Sequence, residues 1–165
     1  MKYFFLFLLL CASLSGWGCT SVLVTGRHTS DGRPLLLKQR DSEDYYCHVD
    51  RVEGNGIISF IGIFNNKDVK NCQPLCGMNE NGLCVISTAT YNLGDRHIQN
   101  GISSPRVMYA VLTTCNTTKD FEAYLTKIQK SDSLVPSNYG VIDAKGNCCY
   151  YEVEYKKWVK YDVNE

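Results

Sequence analysis

The 165-residue chain has no surplus of charge of either sign, no long hydrophobic run, no internal repeat and no paired metal motif. Each absence removes a class of function. Lys+Arg and Asp+Glu are equal at 17 each, so the chain lacks the basic surface with which nucleic-acid binders neutralise phosphates, and no nucleic-acid partner is expected. No apolar stretch reaches the roughly 20 residues that span a bilayer, so no transmembrane segment is expected. Cys72-x3-Cys76 has the spacing of half a zinc site, but no second pair with suitable histidine spacing follows. His28, His48 and His97 stand alone, in surface or satisfied polar roles by default. The sequence calls for neither a metal nor an organic cofactor. With 44% hydrophobic and 21% charged residues it is no disordered chain either. The length fits one domain with a real core.

What is abundant is cysteine, 9 in all, and the N-terminus suggests a compartment for it. Lys2 is followed by an apolar run through Leu14, and small Gly16 and Gly18 stand one position apart. This is the charged start, apolar middle and small-residue cut of a secretory signal over residues 1–18. Cleavage after Gly18 removes one lysine and one cysteine, leaves residues 19–165 as the domain, and makes Cys19 the new N-terminus. The product is expected to be secreted, periplasmic or lumenal. On position alone Cys19 reads as half of a structural disulfide, a lipidated cysteine or an N-terminal nucleophile. Gly16-Trp17-Gly18 lacks the aliphatic residue that lipid modification requires three positions before the cysteine.

Along the chain, Thr20–Thr25 is β-branched and apolar, a strand. His28–Pro34 is a turn centred on Asp31-Gly32. Leu35–Gln39 reads as a second strand, buried on both faces at first. Tyr45–Val52 and Ile57–Phe64 read as a strand pair across Glu53-Gly-Asn-Gly56. Asn79-Glu-Asn-Gly82 is a tight turn before a strand at Leu83–Tyr91. Ser104-Pro105 starts a helix, Ser104 as cap, with Val107, Met108, Val111 and Leu112 at helical spacing. A second helix begins near Thr117 or Thr118 with Asp120 in its first turn and Phe121, Leu125 and Ile128 on one face. Strands follow at Tyr139–Asp143, Cys148–Tyr155 and Trp158–Tyr161. Cys84, Cys148 and Cys149 lie in strands, where cysteine packs as a small apolar residue. Asn116-Thr117-Thr118 fits a glycosylation sequon. Strands, then two helices, then strands again predict an α+β fold with mostly antiparallel sheets.

Four segments together carry a resemblance: Cys19-Thr20-Ser21-Val22 behind the signal, Lys38-Gln39-Arg40-Asp41 at the end of the second strand, Gly77-Met78-Asn79-Glu80-Asn81-Gly82-Leu83, and Asn138–Gly146 with Glu152 after it. In this order they resemble the cysteine N-terminal nucleophile hydrolases of the choloylglycine hydrolase, penicillin acylase and acid ceramidase group. The resemblance runs from Cys19 to about Tyr161 and implies an αββα sandwich, incomplete at the C-terminus. It implies cleavage of a linear N-acyl amide through an acyl-enzyme, with hydrolysis or transfer to another amine. Cys19 takes the place of the nucleophile and Asp41 that of the residue holding the α-amine. Lys38 stands where many members have arginine, with Arg40 as an alternative in a shifted register, and Gln39 replaces the usual asparagine. An oxyanion donor is implied within Thr88–Asn92, the candidates being Thr88, Thr90 and Asn92. A second donor in a Thr-Asn pair, and a later arginine, belong beyond Glu165. The resemblance thus makes this chain the N-terminal part of the fold, completed by a missing C-terminal segment or by homo-oligomerisation. Two other readings stay open: an exported binding or structural protein with Cys19 disulfide-bonded or lipid-anchored, and a truncated inactive relative.

The chemistry supports a nucleophile at this position independently. A cysteine thiol, with a pKa of about 8.5, is mostly protonated at neutral pH and needs a base. An α-amine titrates at about 7.7–8.0 and sits on the same residue. It can take the thiol proton only if that residue is chain-terminal, which makes cleavage site and nucleophile coincide.

Overall fold

The computed structural model describes residues 19–41, 46–65, 73–90, 101–131 and 134–165. The expected signal at 1–18 lies outside them, as do Tyr45, Cys72, Asn92 and His97. The elements in order are β1 (Thr20–Val24), a 3-10 turn (Gly26–His28), β2 (Leu35–Gln39), β3 (Cys47–Val52), β4 (Phe60–Asn65), β5 (Cys76–Asn79), β6 (Cys84–Ala89), α1 (Ser104–Thr114), α2 (Thr118–Ser131), β7 (Ser137–Ile142), β8 (Cys148–Val153) and β9 (Trp158–Asp162). Strands β3 to β9 form one seven-stranded sheet in chain order, and β1–β2 form a separate hairpin. Every strand pairing is antiparallel. This is the α+β fold with antiparallel sheets that the pattern predicts.

Three layers result. Both helices cover one face of the large sheet, and the hairpin covers part of the other. Alternation sorts the side chains: Phe60 and Phe64 on β4 point into the core, whereas Ile61 and Ile63 point the other way. Val107, Met108, Val111 and Leu112 of α1, with Phe121 and Leu125 of α2, complete that core as their spacing predicts. Phe121 packs on Tyr151 and Tyr139, ring centroids 4.9 and 5.5 Å away. Gly77 lies under α1, where a Cβ would meet Leu112 Cδ1 at 2.8 Å. On the opposite face Gly140 lets the hairpin approach, since a Cβ there would meet Leu23 Cδ1 at 2.8 Å.

The structure corrects three local readings. The cap of α1 is Ser103, one residue earlier than expected, and Ser104 is already helical. β5 is a strand that the sequence pattern does not announce. Leu35–Gln39 is not buried on both faces: Leu35 and Leu37 are 57% and 56% exposed. No described segment forms a second helical layer over the hairpin, so three of the four expected layers are present. The second helix does begin with Asp120 in its first turn. Its carboxylate accepts the Asn116 and Thr117 N–H groups while Thr117 Oγ1 accepts the Asp120 N–H, a reciprocal cap.

Two buried side chains hold the turns. Asn79 Nδ2 donates to the carbonyls of Leu112 and Cys115 at the end of α1, and its Oδ1 accepts the N–H groups of Asn81 and Leu83. Asp143 accepts the N–H groups of Thr118, Lys145 and Asn147 and the Asn147 side-chain amide, tying the start of α2 to the β7–β8 turn. Burial acts to raise the Asp143 pKa, but these hydrogen bonds outweigh it and hold the carboxyl below its ordinary 3.8. With the folded pKa below the unfolded one, its stabilisation is complete above about pH 4 and is lost as pH falls through the folded value. Urea midpoints measured at pH 7 and pH 3 are therefore expected to differ less in Asp143→Asn than in the parent chain.

Candidate active site

The site lies between the hairpin and the large sheet. β1 approaches β6 and β8, and β2 approaches β6. The even and odd positions of the hairpin face opposite ways, and Leu23, beside Gly140, marks the inward set. Ser21 and Lys38 are register partners on that inward face.

Lys38 crosses the gap. Its Nζ donates to the Ser87 carbonyl at 2.5 Å and to the Leu75 carbonyl at 3.3 Å. This fastens the end of β2 to β6 and to the start of β5. Burial lowers the Lys38 pKa, while Cys19, Cys76 and Cys47 act to raise it and Arg40 to lower it further. One partly buried ammonium is thus within electrostatic reach of three thiols. Cys19, at the start of β1, points its Sγ at the Asp41 carbonyl oxygen, 3.9 Å away. Arg40 Nη1 donates to Cys47 Sγ at 2.9 Å. Cys76 is partly buried, and desolvation pushes its thiol pKa up against the opposing pull of Lys38.

The Cys19 thiol thus lies by the backbone of Asp41 and within electrostatic reach of Lys38. Of the two basic residues, Lys38 reaches into the gap, and Arg40 turns to Cys47. Thr88 lies on the inward face of β6 opposite Asn138 of β7. Thr90 follows β6, and its Oγ1 is buried without a hydrogen-bond partner among the described residues, as is Asn138 Oδ1. Asn92 falls outside the described residues. The nearness of Cys76 to Lys38 is one that sequence spacing does not reveal, because it depends on how the hairpin lies across the large sheet.

An open cleft of about 420 Å³ extends from Lys38 along β2, lined by Leu36, Ile61, Ile63, Met78 and Ile86 among others. Its lining is mainly apolar, with Lys38, Cys76 and Cys84 as the exceptions.

Cys19, Cys47, Cys76, Cys84, Cys115, Cys148 and Cys149 are all free thiols. Cys148 and Cys149 are buried on opposite faces of β8, and burial raises the thiol pKa of both, to about 11 for Cys148. Among the described residues no group of three His, Cys, Asp or Glu side chains could hold a metal, and no helix is long and apolar enough to cross a membrane. In the sequon, Asn116 is exposed and accepts from Asn81 Nδ2 at 2.6 Å, while Thr118 is buried against Asp143.

Comparison with known proteins agrees with the fold. Residues 28–164 match the family described as acyl-coenzyme A:6-aminopenicillanic acid acyl-transferase. Cys19 lies just ahead of the matched span. Among solved structures, the chain resembles a mutant of the conjugated bile acid hydrolase from Clostridium perfringens, with a TM-score of 0.59 and 16% identity. That match covers 89% of this chain but 51% of the hydrolase, so the chain spans about half the length of that relative. No curated protein matches the chain significantly.

Proposed function

Because the chain belongs to the acyl-coenzyme A:6-aminopenicillanic acid acyl-transferase family, we propose that it cleaves a linear N-acyl amide through Cys19 and passes the acyl group to water or to a second amine. The observation that carries this reading is the approach of a free Cys19 thiol to the Asp41 backbone, within electrostatic reach of the Lys38 ammonium, which itself lines an apolar cleft.

In this reading export removes residues 1–18 and frees the Cys19 α-amine. The amine takes the thiol proton, and the thiolate attacks the amide carbonyl carbon. The tetrahedral intermediate collapses with rupture of the C–N bond, and the α-ammonium returns its proton to the departing amine. Water or another amine then attacks the thioester and regenerates the thiol. The Asp41 carboxylate orients the α-amine. The resemblance puts an oxyanion donor within Thr88–Asn92, with Thr88, Thr90 and Asn92 as candidates, and each such donor is worth about a hundredfold or more in rate.

Lys38 supplies the positive charge. An ammonium has three N–H donors, and among the described residues two are given to the Leu75 and Ser87 carbonyls. The third is available to the charge that develops at Cys19, which is within electrostatic reach. Lys38→Met is expected to lower kcat/KM for an N-acyl amide by about a hundredfold, on the scale of one lost electrostatic donor. Lys38→Arg, which keeps the charge, should recover part of that loss. Equal, unimpaired rates in all three proteins would remove Lys38 from the mechanism. The function itself is tested by assaying the mature chain against a panel of N-acyl amides, with release of free amine as the readout.

A further inference from the structure

We propose that the gap beneath β1 binds a primary ammonium carried on the amine half of the substrate, with Asn138, Glu152 and Ser21 as its acceptors. The inference rests on the reading of Cys19 as the nucleophile and adds a substrate class to it.

Strand register places these residues. A Cβ at Gly140 would meet Leu23 Cδ1, so Leu23 of β1 stands over Gly140 and its register partners Ile86 and Tyr150. Lys38, the partner of Ser21, reaches the Ser87 carbonyl, so going back along β1 leads toward the end of β6. Two residues back, Ser21 stands over the row Thr88–Asn138–Glu152, and Cys19 is one such step further on. A polar layer thus lies between the hairpin and the sheet, next to the nucleophile, whereas Leu23 and Ile86 make the neighbouring layer apolar.

The acceptors of this layer are left over. Ser21 Oγ and Asn138 Oδ1 are buried with no hydrogen-bond partner among the described residues. Glu152 is half-buried, and the one hydrogen bond described for its carboxylate comes from Tyr161 Oη at 3.3 Å. Among the described residues no cation forms a salt bridge with it. Lys38 is committed to carbonyls on the β5–β6 side, and β8 lies two strand spacings, about 10 Å, beyond β6. Orphaned acceptors beside a half-buried carboxylate call for a positive charge that carries several N–H groups. A primary ammonium has three donors, one for each acceptor group. A hydroxyl brings a single donor and no charge, and a second carboxylate brings no donor and repels Glu152.

The layer lies where an amine half belongs. The apolar cleft, lined by Leu36, Ile61 and Ile63, runs beneath β2, while β1 lies over β6 and β8. An acyl chain along the cleft leaves the amine half on the β1 side. Alternate residues of a strand stand about 6.6 Å apart, the separation of the Cys19 and Ser21 positions. An extended two-carbon arm puts its ammonium about 5 Å from the scissile carbonyl carbon, within hydrogen-bond reach of that layer.

The test compares three octanoyl amides whose amine halves have two carbons and differ in the terminal group: the ammonium of 1,2-diaminoethane, the hydroxyl of ethanolamine and the carboxylate of glycine. At pH 7 the first is a cation and the last an anion. Values of kcat/KM are measured with the mature protein from its source, and dissociation constants by calorimetry with its Cys19→Ala variant. The ammonium amide is expected to be better than the hydroxyl amide by at least about tenfold in both, the size of a charge-assisted hydrogen bond, and the glycine amide to be the poorest. Glu152→Gln should bring the ammonium and hydroxyl amides within about threefold of each other, and Glu152→Asp should restore part of the difference. The preference in binding is read without turnover. A preference in the Cys19→Ala protein with no turnover in the parent supports the ammonium site and removes the nucleophile, whereas turnover without the preference overturns the ammonium site alone. No measurable binding of the ammonium amide, equal dissociation constants for the three amides, or a preference that survives Glu152→Gln would each overturn the proposal.

Discussion

Replacing Cys19 with alanine is expected to abolish amide turnover, with a loss of at least about three orders of magnitude in kcat, while leaving the thermal transition within about 2 °C of the parent. The two halves of that expectation come from different observations. Cys19 is partly exposed at the start of β1, and the one hydrogen bond described for its thiol is a long contact to the Asp41 carbonyl. Losing a sulfur there opens no cavity in the main core, which lies on the far side of the large sheet. The chemistry, in contrast, has no substitute nucleophile. Cys76 is also near Lys38, but its thiol has no α-amine beside it and is pushed toward the protonated form by burial. Cys19→Ser keeps a hydroxyl in place but raises the pKa of the attacking group, so it too should be nearly inactive. A Cys19→Ala protein that retains turnover would assign the reaction to another group.

The largest effect on stability is expected at Asn79. Asn79→Ala removes four hydrogen bonds at once, two given to the Leu112 and Cys115 carbonyls and two received from Asn81 and Leu83. The site is buried, Asn79 being 3% exposed, so water cannot readily replace the lost partners. Buried groups left without partners cost about 1–3 kcal/mol each, and some will relax. A total loss of about 3–5 kcal/mol follows, a large fraction of a typical domain's stability. Asn79→Asp should be at least as damaging, because it would set a carboxylate against two carbonyl oxygens. Denaturant titration checks both. If either variant lies within about 1 kcal/mol of the parent, the size of a single ordinary hydrogen bond, the turn is not the clamp described. The result also bears on the meaning of the Met78-Asn79-Glu80 segment. Its asparagine fixes a turn to the end of a helix, and its glutamate accepts the Ser59 N–H. Both contacts are structural.

Sequence periodicity reveals most of the large sheet because its strands obey alternation. Phe60, Gly62 and Phe64 turn to the helices and Ile61 and Ile63 turn away, a pattern that the order of the residues alone displays. β5 is hidden because Cys76-Gly77-Met78-Asn79 carries a glycine and too few residues to establish a period. Its place as a strand comes from β4 and β6 on either side and from the tight fit of Gly77 under Leu112. The three consecutive leucines of β2 suggest burial on both faces. Their outer members are exposed because nothing described covers that side of the hairpin. Ser103 and Ser104 are equally good caps by composition, and only the backbone chooses between them.

The candidate site is legible to a different degree. Cys19, Lys38 and Asp41 stand out because a resemblance orders their motifs, and the α-amine argument gives Cys19 a chemical reason. Nothing in local spacing predicts that Lys38 reaches Ser87 and Leu75, residues far along the chain, or that Cys47 and Cys76 come near the same charge. Those meetings are consequences of how the hairpin lies across β6. Thr88 and Thr90 are candidates by position, and Asn138 joins them only through the β6–β7 register.

The central claim is that Cys19 is an N-terminal nucleophile, and acid-quench mass spectrometry of the protein from its source tests it most directly. The mature chain, isolated from its source, is mixed with an N-acyl amide, quenched at low pH within a turnover and mapped by peptide. The account predicts a chain that begins at Cys19 and carries one acyl group, on the Cys19 sulfur. A chain that retains residues before Cys19, a lipid on that residue, or an acyl group found on any other side chain would contradict it.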